Sequence, residues 1–221
     1  MGVETQAGRF VAMLTFPHPT IIGFVRHGQT DWNVAGRFQG SSDTPLNDLG
    51  RAQAAEAAEY LHDQLPHIRW AAVRHSPLQR AGETAAIIAA SIGVTDMSAL
   101  PALSERHWGV AEGRTWDELT DRWPKLGVDS EQACNKIPGA EPLDLLDARG
   151  IFAVESTAVQ HPNQTVLMVS HGTLMRSTLS RLLGFDIGDV PNAGVLVLVA
   201  GFEDGELRTE LVARSFDGRV R

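Results

Sequence analysis

The chain has 221 residues, a formal charge of −8, 43% hydrophobic and 21% charged residues. These are ordinary globular values that argue against disorder, and no apolar run approaches the length of a bilayer. The acidic balance disfavours nucleic acid and membrane surfaces as partners, since both call for a basic face, but it leaves room for a small anion held by a few converging cations.

Residues 1–19 read as a non-cleaved N-terminal extension, with Glu4 and a short apolar run from Phe10 to Leu14 but no small-residue cleavage site. Residues 20–221 are expected to form one domain. IIGFV, leading into Arg26-His27-Gly28, has the length and β-branched content of a buried strand. A helix is expected over Asn47 to Leu65, with Leu49, Ala52, Ala58 and Leu61 inward. WAAV is a short strand before Arg74 and His75. SPLQRAGETAAIIAASIG is the clearest helix, with Leu78, Ala81, Ala85, Ile88 and Ile92 on one apolar face. Ser76 and Gln79 fit a capping box, Pro77 the first helical position and Gly93 the stop.

The segment Thr115 to Pro142, with two tryptophans and little β character, reads as an excursion of short helix and loop. Its Cys134 is the only cysteine, which excludes an intrachain disulfide, predicts a cytoplasmic location and reads as a loop thiol. TVLMVS is a second buried strand, leading into His171-Gly172, and GVLVLVA and ELRTELVAR are two more, separated by the turn EDG. Strands alternating with helices predict an α/β domain with a mainly parallel central sheet between helical layers.

Ligand sites in such folds lie beyond the carboxyl ends of the strands. If the two His-Gly strands are neighbours, His27 and His171 face one crevice, where Gly28 and Gly172 allow close backbone approach. Arg80 is in the first turn of a helix, where the macrodipole disfavours a cation unless an anion is near. That makes it a phosphate-ligand candidate, although contact with a surface carboxylate would also account for it. Arg-His pairs occur in VRHG, VRHS and SERH, and only the first has both a strand before it and a glycine after it.

VRHGQTDWN, GRFQGSSDTPLNDLGRAQA, SPLQRAGETA, LSERHWGVAEG and VSHG, in that order, resemble the histidine phosphatase superfamily, the phosphoglycerate mutase-like proteins, over most of the chain. The resemblance implies that family's three-layer α/β/α fold and a phosphohistidine mechanism. His27 would be the nucleophile and Glu105 the proton donor. Arg26, Asn33, Gln39, Arg80, His171 and Gly172 would bind the phosphorylated substrate, with Arg26, Arg80 and His171 supplying the cations. Glu105 must be protonated to serve the leaving alkoxide, and Trp108 is the apolar neighbour expected beside it. No metal or cofactor is implied, since neither HExxH nor paired cysteines nor a Walker loop is present.

The chain departs from the family pattern at Arg74 and His75, which are either a solvated strand end or a rim contact to substrate. His107 could tune Glu105 or simply pack beside Trp108. In IPGAEP, Ala140 and Pro142 replace the usual Gly and Ser, so a helix cap is expected to be lost while Glu141 remains. The leading expectation is a phosphomonoester hydrolase acting on a small-molecule phosphate ester, a sugar phosphate or phosphoglycerate-like compound. A phosphoglycerate-type mutase is the alternative, and a non-catalytic phospholigand-binding module comes third. The stretch from Glu105 to Ala140 holds only five Lys and Arg, which favours the hydrolase. The chain could also assemble as a homodimer.

Overall fold

A computed structural model describes residues 16–127 and 131–216; residues 1–15 of the expected extension lie outside the described residues. Six strands form one sheet: β1 (Thr20–Arg26), β2 (Ala72–His75), β3 (Met97–Ala99), β4 (Thr165–Ser170), β5 (Val195–Glu203) and β6 (Glu206–Arg214), in the order β3-β2-β4-β1-β5-β6. β1, β2, β3 and β4 are mutually parallel, whereas β5 runs antiparallel to both β1 and β6. The β5–β6 hairpin turns on Asp204 and Gly205, both at positive φ, as a two-residue primed turn requires. Short strand β2 begins two residues later than the WAAV pattern suggests.

Helices α1 (Asp31–Val34), α2 (Asp48–Gln64), α3 (Gln79–Ile92), α4 (Trp116–Arg122), α5 (Glu131–Cys134), α6 (Leu143–Gln160) and α7 (Gly172–Leu183) complete the chain. Strand alternation decides the layers. Val25, Val73, Leu167 and Val169 point into a core under α2 and α3, while Ile22, Phe24, Met168 and Leu198 point into a second core under α6 and α7. The result is the expected three-layer α/β/α architecture around a mainly parallel sheet. The excursion beyond Glu105 has a small core of its own, built on Trp108, Leu119 and Ile137 with Phe38, Trp116 and Trp123 packed around them. Cys134 closes the short helix α5 and packs there as well, so it is not a loop thiol.

Two local expectations are corrected. In α2 the inward face is Gly50, Ala54, Ala57, Ala58 and Leu61, leaving Ala52 exposed and Leu49 52% exposed. The cause is close approach at the helix start: a Cβ on Gly50 would lie 2.1 Å from Gln29 O, and one on Gly28 would lie 2.1 Å from Gly50 O. Contact between these two glycines rotates the helix so that Leu49 falls outside. Gly28 therefore serves the packing of this helix.

In α3 the first helical residue is Gln79, and Pro77 lies in the turn before it. Ser76 Oγ accepts from Leu78 N at 3.3 Å, and the cap comes from a distant loop, where Asp43 Oδ1 accepts from Gln79 N at 2.6 Å. Gly93, at φ 72°, ends the helix as expected. Pro142 stands just before α6 and makes no side-chain cap.

Candidate active site

β1 and β4 are adjacent and parallel, with Arg26 opposite Ser170, so the residues that follow them emerge side by side. The chain leaves β1 toward β2 and β4 toward β5, in opposite directions across the sheet, which opens a crevice at their carboxyl ends. The rings of His27 and His171 meet there, their centroids 5.1 Å apart. His27 Nδ1 lies 2.7 Å from Gly28 O. A carbonyl can only accept, so the proton is on Nδ1 and Nε2 keeps its lone pair. Burial, then the charges of Arg26 and Arg80, hold the His27 pKa well below the usual imidazole value. His171 is lowered in the same way, by burial and then by Arg80, His27 and Arg26. Buried among cations, the His171 ring is held toward its neutral form before any anion binds.

Arg26 and Arg80 flank these rings. Arg26 Nη1 donates to Val190 O at 2.7 Å, and its guanidinium lies against Gly172, where a Cβ would come within 3.3 Å of Arg26 Cζ. Gly172 thus makes room for the arginine at the start of α7. Arg80 is fully buried, donating from Nη1 to Ser42 O at 2.8 Å and from Nη2 to Gly40 O at 2.9 Å. With Asp43 on Gln79 N, one loop ties down both the helix start and the arginine that the dipole alone would repel. Burial lowers the pKa of both arginines, partly offset by the Glu105 charge, and neither loses its proton near neutrality. Four nitrogens, Nε of Arg26, Nε of Arg80 and both ring nitrogens of His171, are buried without a protein partner.

Glu105 enters from the opposite wall, on the loop after a 3-10 turn at Pro101–Leu103. Its Oε1 accepts from Arg106 N at 2.8 Å and Leu174 N at 3.2 Å, and its Oε2 from Thr173 N at 3.3 Å. The carboxylate therefore sits at the positive N-terminus of α7. The Trp108 ring packs on Phe38 and under the Arg106 guanidinium, 4.5 Å from Arg106 Cζ.

Asn33 Oδ1 accepts from Thr30 N at 3.1 Å and from Asn192 Nδ2 at 3.3 Å, which orients the side-chain amide with Nδ2 as its remaining donor end. Gln39 is buried, its Oε1 accepting from Thr44 Oγ1, and braces the loop that holds Arg80. Arg74 and His75 lie apart from these groups. Arg74 forks onto Asp96 at 3.0 and 3.1 Å, and His75 packs over Gly82 of α3. His107 is exposed, with Nδ1 3.0 Å from Glu112 Oε1 and accepting from Gly109 N at 2.9 Å.

Three contributors carry no sequence signal of their own. Asn192 donates to His27 O at 3.0 Å as well as to Asn33. Glu112 accepts from Ser41 N, Ser42 Oγ and Trp108 N, joining the Arg80 loop to the Glu105 loop. Burial works against the ionised form of Glu112, but these bonds outweigh it and lower its pKa. Arg149 fastens the segment that carries Glu105. Among the described residues no cluster of His, Cys, Asp and Glu is arranged to hold a metal, and no helix is long and apolar enough to cross a membrane.

The model of the histidine phosphatase superfamily (branch 1) matches residues 22–212. The metal-independent phosphoserine phosphatase of Arabidopsis thaliana is 37% identical over 183 residues, covering 81% of this chain and 76% of that protein. The probable phosphoglycerate mutase GpmB of Yersinia pestis is 38% identical over 164 residues, 72% of this chain and 73% of its own. Among solved structures, the mycobacterial glucosyl-3-phosphoglycerate phosphatase in complex with VO3 superposes with a TM-score of 0.72 at 28% identity, covering 86% of this chain and 96% of that one. By sequence and by fold alike, this chain belongs to the histidine phosphatase superfamily.

Proposed function

We propose that the protein hydrolyses small phosphate monoesters through a phosphohistidine on His27, with a sugar phosphate or phosphoglycerate-like compound as substrate. The observation that carries this reading is the set of unpartnered buried nitrogens on Arg26, Arg80 and His171 around the free Nε2 of His27. Buried polar groups without partners are costly, and these belong to the three residues packed around His27, where they suit a group with several acceptor oxygens.

In the first step His27 Nε2 attacks phosphorus and the P–O ester bond breaks. The Nδ1–H bond to Gly28 O steadies the positive charge that develops on the ring. Arg26 and Arg80 neutralise the equatorial oxygens, and His171 donates to one of them. Glu105 gains a proton as the anionic ester binds beside it, entering the step as the acid, and passes that proton to the departing alkoxide. A water then gives that proton back to the Glu105 carboxylate as it attacks the P–N bond, releasing inorganic phosphate and free His27.

Hydrolysis is favoured over isomerisation by where the three arginines between Glu105 and Ala140 go. Arg106 donates to Glu141 O and Asn135 Oδ1, Arg114 to Val110 O, and Arg114 and Arg122 both lie over the Trp123 ring. They brace the excursion itself rather than converge on a second anionic group. The test is a hydrolysis screen over sugar phosphates, phosphoglycerates and phosphoamino acids, with phosphoglycerate mutase activity assayed in parallel. Release of inorganic phosphate, with an acid-labile and base-stable phosphoenzyme on quenching, is expected. Isomerisation without phosphate release would overturn the reading.

A further inference from the structure

The role given to Glu105 demands accuracy, because a general acid displaced by about 1 Å can lose about 10²-fold in rate. Yet Glu105 lies on an irregular loop, where accuracy has to be imposed from outside. The source is Arg149, in the middle of α6. Its Nε donates to Glu141 Oε1 at 2.8 Å, Nη1 to Ala102 O at 2.9 Å and Ser104 O at 2.5 Å, and Nη2 to Glu105 O at 3.0 Å and Glu141 Oε2 at 2.9 Å. All five donors of the guanidinium are engaged. Ser170 Oγ donates to Leu103 O at 2.8 Å, so four consecutive carbonyls, 102 to 105, are held by side chains of α6 and β4.

Glu141 completes the clamp on the far side of Glu105. Its carboxylate accepts from His107 N at 3.3 Å, its backbone N donates to His107 O at 2.8 Å, and its carbonyl accepts from Arg106 Nε at 2.8 Å. Burial disfavours its charge, but the Arg149 bonds and charge prevail and lower its pKa, so the pair is ionised at neutral pH.

We propose that Arg149, locked by Glu141, is the positioning residue for the proton donor: it fixes the backbone of residues 102–105 so that the Glu105 carboxyl meets the leaving-group oxygen. The inference rests on the role given to Glu105 above. With its five donors spent on Glu141 and on the carbonyls of residues 102, 104 and 105, Arg149 has none left for that carboxyl or for a substrate. A lysine cannot replace it, since three donors on a flexible stem cannot span five acceptors set out for a planar fork.

The experiment compares kcat/KM for two esters of similar size. 4-Nitrophenyl phosphate has a leaving group acidic enough to depart without a proton, whereas benzyl phosphate releases an alkoxide that needs one. kcat/KM reports only the steps through leaving-group departure, so later hydrolysis of the phosphoenzyme does not enter. Arg149→Lys is expected to lower kcat/KM for benzyl phosphate by about 10- to 100-fold and to change that for 4-nitrophenyl phosphate by less than about threefold. In a Glu105→Gln background the same substitution should add little, since the acid it positions is already gone.

Equal slowing of both esters by Arg149→Lys, or of neither, while Glu105→Gln remains selective for benzyl phosphate, overturns the positioning role alone. If Glu105→Gln slows both esters equally, it is the proton-donor assignment that falls. Should Arg149→Lys fail to fold, Glu141→Gln keeps the shape of the clamp and removes its counter-charge; it is expected to show the same selectivity at smaller size, and loss of that selectivity overturns the proposal.

Discussion

The tripeptide Val-Arg-His stands at the carboxyl end of β1, as Val25-Arg26-His27, and again at the end of β2, as Val73-Arg74-His75. Locally the two are alike. His27 Nδ1 lies 2.7 Å from Gly28 O and His75 Nδ1 lies 2.8 Å from Ser76 O, so each ring is locked in the same tautomer by the next carbonyl. What differs is the position of the strand. β1 lies between β4 and β5, so the groups after it face the end of β4, and His27 is buried against His171 and two arginines. β2 has the three-residue β3 as its outer neighbour, so Arg74 reaches round the sheet edge to Asp96 and His75 stays half-buried over α3. A tripeptide can set a tautomer; the sheet order decides whether there is an anion site in front of it.

Substituting the two histidines should break this pair most sharply. His27→Ala should lower kcat by about 10⁴-fold or more and abolish the acid-labile phosphoenzyme. His75→Ala should leave both within about twofold. Next in size is Arg80→Ala, which removes one preorganised donor from the transferring phosphoryl group and should cost about 10²- to 10³-fold in kcat by steady-state assay. The phosphoenzyme should still form, because nucleophile and acid remain.

Much of this strand-end half was legible in the sequence. Buried strands ending in His-Gly, and a cation at a helix start, are patterns with a period or a cap behind them. The face of α2 is not legible because alanines supply apolar positions all round the helix, and the tie is broken by Gly50 meeting the backbone of Gln29. The cap of α3 is not legible because Asp43 is 36 residues from the amide it accepts from. The clamp on Glu105 was not legible at all. Arg149 binds mostly to carbonyls, which every residue possesses, so no motif marks its targets.

The burial that separates His27 and His171 from His75 has a consequence for stability. Both buried rings have pKa values held well below 6.5 in the folded protein, while the unfolded chain binds their protons at the ordinary value. Above pH 6.5 neither state holds these protons and stability does not depend on them. As pH falls below 6.5 the unfolded state gains them first, so stability is lost until the folded-state pKa values are passed. Each ring contributes a slope of up to about 1.4 kcal/mol per pH unit. Urea unfolding between pH 7.5 and 5 should show this decline, and it should be shallower in His171→Asn than in the parent protein. An identical slope in both would mean that His171 is not held neutral.

The smallest effect is expected at the second arginine. Arg74 forks onto Asp96, whose side chain is more than half exposed, and water screens such a pair. Arg74→Gln should therefore cost about 1 kcal/mol or less in urea unfolding and leave kcat/KM for the preferred ester within about twofold. The alternative is that Arg74 contacts an anionic substrate at the rim. A rise in KM of about tenfold with kcat unchanged would show that uniform binding had been removed. The Asp96→Asn variant separates the two cases: it breaks the fork without removing the cation. If Arg74 serves only the sheet edge, the two variants should behave alike; if it serves substrate, releasing it from Asp96 should lower KM while Arg74→Gln raises it.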